Sequence, residues 1–297
     1  MFTGLSAFPL TPLNEEGIVE DAFVGLIDRL SAARVDSIGV LGSTGSYMYL
    51  DRGERRRAIE LAVGHADGLP VMAGIGALRT RDVLSLAEDA QRAGASAVLL
   101  APVSYQPLTD DEVFSLYEQV SRALSVPLCV YDNPRTTKFT FSDELHGRIA
   151  RLPRVSSIKI PGVPADPQAA AARVEALRAL LPESVTIGVS GDALGAAGLN
   201  AGCEAFYSVL GGLFPEWGMK LVRLARSGQA DEALRFSAQL EPIWTQFAEY
   251  GSQRVAAAVA VHCGWMPAPG LRLPIKPLPR DAERELAAFL DRRNLLA

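Results

Sequence analysis

The alternation of short apolar runs with longer stretches at helical spacing constrains this chain more than any other feature. The runs are Leu5–Phe8, Ser37–Leu41, Pro70–Ala73, Ala97–Leu100, Pro127–Tyr131, Val155–Ile160, Val185–Val189 and Ala205–Val209. Amphipathic stretches follow them at about 19–33, 51–66, 79–93, 109–125, 142–151, 166–181, 191–201 and 214–227. Strands this short and this uniformly apolar are buried on both faces, and with a helix after each they form a parallel sheet with right-handed crossovers. Eight such units within 227 residues match the (β/α)8 TIM barrel in number and size, and no paired nucleotide-binding halves are visible. The expected fold class is therefore α/β, a closed barrel rather than an open sheet.

A sequence echo accompanies the alternation. Ala93-Gly94-Ala95-Ser96-Ala97-Val98 and Ala201-Gly202-Cys203-Glu204-Ala205-Phe206 share one pattern, and Ala33-Arg34-Val35-Asp36-Ser37-Ile38 is a looser copy. Glycine just past a helix end takes the left-handed conformation that terminates it, so the echo marks one helix-to-strand turn used repeatedly, which any α/β protein could also show. After residue 227 the pattern turns helical, at about 229–247 and 253–263, then Pro-rich from Pro267 to Pro279, then helical from Asp281. Residues 228–297 are too thin in apolar content for a core of their own. They are expected to pack on a catalytic barrel of residues 1–227 as a C-terminal helical extension.

Composition narrows the function classes. A net charge of −5 lacks the basic excess that binding nucleic acid requires. Cys129, Cys203 and Cys263 stand far apart with no CxxC pair, which points away from disulfide frameworks and zinc knuckles and toward a reducing compartment. The first fifteen residues carry no Lys or Arg, unlike a signal peptide, and no apolar stretch reaches the ~18 residues of a membrane span. The expectation is a cytoplasmic protein without a membrane partner.

Only four lysines occur among twenty-nine basic residues. Lys138, Lys220 and Lys276 occupy ordinary solvated settings, whereas Lys159 interrupts the sixth strand, Val155-Ser156-Ser157-Ile158-Lys159-Ile160. Alternation puts Ser157 and Lys159 on one face and Ile158 and Ile160 on the other. In a barrel one face is the interior, and Lys159 lies near the carboxyl end of its strand, where barrel enzymes keep their active sites. An ordinary amine with a pKa of ~10.4 is almost wholly charged at neutral pH. Withdrawal from water favours the neutral amine, a nucleophile able to form a Schiff base with a carbonyl. The competing reading is a lysine that reaches the barrel rim or pairs with a carboxylate.

Other chemistries lack their residues. His65, His146 and His262 are dispersed without metal-binding spacing, so no metal is expected. There is no GxSxG elbow and no GxxxxGK[ST] loop, and Gly74-Ile75-Gly76 lacks the third glycine of the dinucleotide fingerprint, so no nucleotide cofactor is indicated. The second strand ends in Gly42-Ser43-Thr44-Gly45-Ser46, a possible backbone nest for a carboxylate or phosphate. The fifth ends in Tyr131-Asp132-Asn133-Pro134-Arg135, which places a phenol at the rim. Gly188-Val189-Ser190-Gly191-Asp192 and Gly211-Gly212 follow strands seven and eight, where such barrels commonly bind phosphate. Arg55, Arg56 and Arg57 read as a solvated helix face.

Taken together these segments resemble the dihydrodipicolinate synthase and N-acetylneuraminate lyase superfamily of Schiff-base-forming lysine aldolases. The resemblance spans almost the whole chain. It rests on Ala7-Phe8-Pro9-Leu10-Thr11-Pro12, Gly42-Ser43-Thr44-Gly45, Gly74-Ile75-Gly76, Pro102–Pro107, Tyr131–Pro134 and Ile158-Lys159, six motifs in order at consecutive strand ends. It implies a homotetramer, built as a dimer of dimers, with no cofactor. Lys159 would form the Schiff base with pyruvate or a related 2-oxo acid, Tyr131 would shuttle the proton, and Ser43 would link that phenol to a hydroxyl relay. Thr44 and the Ser43 and Thr44 N–H groups would hold the substrate carboxylate. Gly191, Asp192 and Ser208 would touch its distal end. The iminium is an electron sink, so the enamine can add to an aldehyde or the reverse cleavage can release one.

Three departures mark a divergent member. Synthases proper usually carry an arginine two residues after the proline of the tyrosine motif; Thr136 stands there, with Arg135 one place early. Their tyrosine pair after the fourth strand is replaced by Pro102-Val103-Ser104-Tyr105, which puts Tyr105 one place late. Residue 46 is serine in place of glutamate. The expected activity is an aldolase-type lyase or synthase acting on pyruvate or a 2-keto-3-deoxy acid. The alternatives are condensation of pyruvate with aspartate semialdehyde, a phosphate-binding barrel enzyme, and a non-catalytic binding relative.

Overall fold

Side-chain caps set where several helices begin. Asp51 accepts from the Glu54 N–H while the Glu54 carboxylate accepts from the Asp51 N–H, and Thr109 and Glu112 repeat this reciprocal box. Ser142 and Asp166 cap two more. The computed structural model describes residues 2–293.

Strands β1 (Gly4–Ala7), β2 (Ser37–Val40), β3 (Val71–Gly74), β4 (Ala97–Leu100), β5 (Leu128–Tyr131), β6 (Val155–Ile160), β7 (Thr186–Ser190) and β8 (Ala205–Ser208) pair in parallel and in chain order. Pairing of β8 with β1 closes the barrel. The helices between them are α1 (Glu20–Ala32), α2 (Arg52–His65), α3 (Thr80–Arg92), α4 (Asp110–Ala123), the one-turn α5 (Pro134–Thr137), α6 (Asp143–Ile149), α7 (Pro167–Arg178) and α8 (Gly195–Asn200). After β8 come α9 (Pro215–Arg226), α10 (Ala230–Ala238), α11 (Glu241–Tyr250), α12 (Ser252–His262) and α13 (Arg280–Arg293). The expected (β/α)8 TIM barrel is thus the observed fold.

Strand periodicity divides the apolar residues into two cores. Val98, Leu100, Leu128, Val130, Ile158 and Ile160 point outward and join the helices in the larger cluster. Ala97, Leu99, Cys129, Tyr131, Ala205 and Tyr207 point inward and fill the barrel with Phe8 and Met72. The same alternation sends Lys159 inward beside Tyr131, its register partner on β5. The three echoed turns share one conformation, with φ of +89° at Gly94, +102° at Gly202 and +55° at Arg34.

Two expected helices are broken. The stretch at 229–247 forms α10 and α11, because Pro242 in the first turn of α11 has no N–H to continue the α10 ladder. The stretch at 191–201 begins instead with Gly191 at φ +81° and a 3₁₀ turn over Asp192–Leu194 before α8. The extension packs through aromatic rings: Trp217 of α9 lies 6.1 Å from Phe236 of α10 and 5.6 Å from Trp244 of α11.

Candidate active site

The site is built at the carboxyl ends of the strands. Lys159 is only 4% exposed. Its Nζ lies 3.8 Å from the ring centre of Phe8, 4.2 Å from that of Tyr131 and 5.5 Å from that of Tyr207. Among the described residues no carboxylate lies within ion-pair distance of it, so the amine rests against aromatic faces. Two strand glycines create this cage. A Cβ at Gly39 would fall 2.5 Å from the Phe8 ring, and one at Gly188 would fall 2.1 Å from Tyr207.

Two neighbouring interior groups are held protonated. Burial pushes the Cys129 thiol up to about 11, with its Sγ 3.6 Å from the Tyr207 hydroxyl. Burial also raises Tyr207 well above the usual phenol range, so it stays protonated, 2.6 Å from Ser157 Oγ. Lys159 is the interior group suited to attack a carbonyl.

The loop after β2 is folded tightly by two left-handed residues, Leu41 at φ +57° and Ser46 at φ +60°. Leu41 comes so close that a Cβ at Gly74 would lie 1.8 Å from its carbonyl oxygen, and one at Gly45 would lie 2.9 Å from its nitrogen. Such strain is retained where the surroundings over-determine it. Among the described residues neither the Ser43 nor the Thr44 N–H meets an internal acceptor. Both are therefore free to receive an anion such as a carboxylate. Ser43 Oγ lies 3.5 Å from Tyr131 Oη, and Thr44 is buried. On the far side of the loop Gln253 of α12 donates to Ser46 Oγ at 2.7 Å, so the extension reaches the mouth of the site.

Lys159, Tyr131, Ser43 and Thr44 are thus grouped as expected, and the remaining candidates are not. Asp192 and Ser208 are buried and bonded to each other; the Asp192 carboxylate also accepts the N–H groups of Val209 at 3.2 Å and Leu210 at 2.9 Å. Together they brace the loop after β8. An internal carboxylate already holds the Val209 and Leu210 amides of the β8 loop, which leaves that loop less suited to a phosphate. Gly191 is a turn residue whose Cβ would fall 2.9 Å from the Pro161 carbonyl. Arg135 donates to the Ala248 carbonyl at the end of α11, 2.7 Å away, because its early position in α5 aims it at the extension. Tyr105 is 90% exposed, carried outward on the loop after β4. Arg55 corrects the solvated-face reading. It is buried under the Tyr47 ring and donates to the Gly74 and Gly76 carbonyls at 3.0–3.1 Å, while burial lowers its pKa to about 10.

Three contributors escaped sequence reasoning. Phe8 and Tyr207 form the lysine's cage, and the signal for each was a glycine in a neighbouring strand. Asn133 donates through Nδ2 to Tyr131 Oη at 2.8 Å, and its signal was the proline that follows it, which restricts its backbone. Behind Tyr131, Asp132 Oδ2 lies 3.6 Å from His146 Nε2. Burial raises Asp132 to about 7 and lowers His146 to about 4, so a protonated carboxyl faces a neutral imidazole near pH 5–6 rather than an ion pair. Among the described residues no cluster of three or more potential ligands could hold a metal ion.

A buried lysine caged by aromatic rings inside a (β/α)8 barrel, with a phenol and an open amide nest beside it, is the arrangement of an aldolase-type enzyme. Residues 1–293 match the dihydrodipicolinate synthetase family, and the chain belongs to that family. The 4-hydroxy-tetrahydrodipicolinate synthase of Phenylobacterium zucineum is 29% identical over 298 residues, covering 100% of this chain and 99% of that protein. The enzyme of the same name from Nitrosomonas eutropha is 30% identical over 242 residues, 81% of each chain. A crystal structure of dihydrodipicolinate synthase from Agrobacterium tumefaciens superposes with a TM-score of 0.94 at 46% identity, covering 100% of this chain and 98% of that one.

Proposed function

We propose that this enzyme forms a Schiff base between Lys159 and pyruvate or a 2-keto-3-deoxy acid, and makes or cleaves a carbon–carbon bond through the enamine. The single observation that carries this reading is the Lys159 amine, 4% exposed, against three aromatic rings with the Tyr131 phenol alongside. The free Ser43 and Thr44 amides would hold the 2-oxo acid's carboxylate. In the forward direction the Tyr131 phenol protonates the carbinolamine hydroxyl, which leaves as water. The resulting phenolate then takes a proton from C3, and the C–H electron pair moves into the C2–C3 bond to give the enamine. Attack of C3 on an aldehyde, whose oxygen takes back the proton Tyr131 removed, followed by hydrolysis of the iminium, completes synthesis, and the reverse order completes cleavage.

The relatives' names favour a second reading, condensation of pyruvate with aspartate semialdehyde. That partner carries its own carboxylate. Here Thr136 stands at the usual arginine position, and Arg135 is engaged with Ala248. An aldehyde without a second carboxylate therefore fits this site better. We further place the enzyme in the cytoplasm as a homotetramer, in which a second copy would cover the exposed Tyr105 and Leu78. Among the described residues no helix is long and apolar enough to cross a membrane.

The deciding assay couples pyruvate to aspartate semialdehyde and to a panel of uncharged hydroxyaldehydes, and measures pyruvate release from 2-keto-3-deoxy acids. Turnover of the uncharged aldehydes or keto-deoxy acids at a kcat/KM at least tenfold above that for aspartate semialdehyde is expected. The opposite ranking would establish the second reading.

A further inference from the structure

Asn133 has a backbone that fixes its side chain. Pro134 keeps it out of the helical region, with φ −145° and ψ 72°, and its carbonyl accepts the N–H groups of Thr136 at 3.1 Å and Thr137 at 3.0 Å and the Thr137 hydroxyl at 2.9 Å. The side chain turns back over the end of β5. There Nδ2 donates to Tyr131 Oη at 2.8 Å and makes a longer contact of 3.5 Å with Ser43 Oγ. Tyr131 itself is 8% exposed, so water competes little for that phenol oxygen.

We infer that Asn133 is a positioning residue for proton transfer, its amide N–H donating to the Tyr131 oxygen and holding the phenolate that exists between the two proton transfers. The inference rests on the Schiff-base reading above. Once Tyr131 has given its proton to the departing hydroxyl, negative charge stands on Oη until C3 supplies a proton. A neutral amide donor at 2.8 Å meets that charge without carrying one of its own, and a hydrogen bond to a charged group is about twice as strong as one to a neutral group. The same bond occupies one lone pair of Oη, which directs the phenol's proton away from Asn133, toward Ser43 or the substrate. The arrangement lies wholly within one chain and does not need Tyr105.

The test compares the wild type, Asn133→Asp and Asn133→Ala by two readouts on pyruvate alone. Borohydride trapping at equilibrium reports imine formation and an intact cage. Exchange of the pyruvate C3 hydrogens into deuterated water, followed by NMR, reports proton transfer. Both variants should trap pyruvate to the wild-type extent with KM for pyruvate unchanged, yet exchange C3 hydrogen about 10- to 100-fold more slowly, the loss expected for one hydrogen bond to a charged oxygen. Asparagine and aspartate have the same shape, so equal slowing in both variants identifies the donated N–H as what matters. Wild-type exchange in both would overturn the inference. Wild-type exchange in Asn133→Asp with slow exchange in Asn133→Ala would overturn it too, since the side chain would then act as an acceptor. Loss of trapping in both variants would assign Asn133 to the fold and not to proton transfer. Absence of trapping in the wild type would instead remove the Schiff-base reading, and this inference with it.

Discussion

Asp132 and His146 are a pair of buried groups whose opposite shifts cancel. In the folded chain Asp132 keeps its proton up to about pH 7 and His146 stays neutral down to about pH 4. Unfolded, the carboxyl ionises near pH ~4 and the imidazole charges below ~6.5. Between those limits folded and unfolded chains hold the same number of protons at this pair, so it adds almost no pH dependence to stability. Single substitutions unmask each half, with Arg173 and Asp143 the charged groups nearby. In Asp132→Asn the remaining His146 makes stability rise with pH between about 4 and 6.5. In His146→Phe the remaining Asp132 makes it fall between about 4 and 7, by on the order of 4 kcal/mol. Urea unfolding across this range checks both slopes. At the neighbouring position, Tyr131→Phe should still trap pyruvate while kcat falls about 10²- to 10⁴-fold, the usual contribution of a general acid–base group. Lys159 was legible in the sequence because a charged residue in an apolar strand violates the local pattern. Asn133 was not, because a polar residue in a turn violates nothing, and its importance lies in where a proline aims it.

The strands and helices were legible because burial on two faces and burial on one stripe leave different periods. Breaks inside the helical stretches were less so, since Pro242 and Gly191 act through hydrogen-bond loss and backbone sign and not through hydropathy. Arg55 shows the same limit. Its neighbours Ala58, Ile59 and Ala62 lie on the buried face of α2 at helical spacing, yet a run of three arginines suggests solvent. Its guanidinium holds the Gly74 and Gly76 carbonyls at the exit of β3. Arg55→Leu should therefore lower stability by about 1–3 kcal/mol through unpaired buried carbonyls, measured by urea denaturation. Gly188→Ala tests the cage from β7. Its new methyl would meet the Tyr207 ring at 2.1 Å, so the ring must shift, with a stability loss of about 1–3 kcal/mol by the same measurement and weaker trapping at Lys159.

At the scale of the molecule, we propose that residues 228–293 serve the barrel as a brace and do not fold alone. Trp217 is buried against Phe236 and Trp244, Gln253 holds the loop that presents Ser43 and Thr44, and Arg135 is tied to α11. A chain ending at Ser227 would expose that aromatic surface and should aggregate, or at best be soluble without trapping an oxo acid, as size-exclusion chromatography and trapping would show. The resemblance visible in the sequence identified the family and the barrel. It gave positions along the chain and not what neighbouring elements already hold: Asp192 bonds the β8 loop and Arg135 the extension. The covalent role of Lys159 is tested by borohydride reduction in the presence of pyruvate, followed by mass spectrometry of the peptide containing residue 159. The expected adduct is one pyruvate less water plus two hydrogens, located on Lys159 and absent in Lys159→Ala. An unmodified Lys159 peptide with pyruvate and with every 2-keto-3-deoxy acid offered would contradict it.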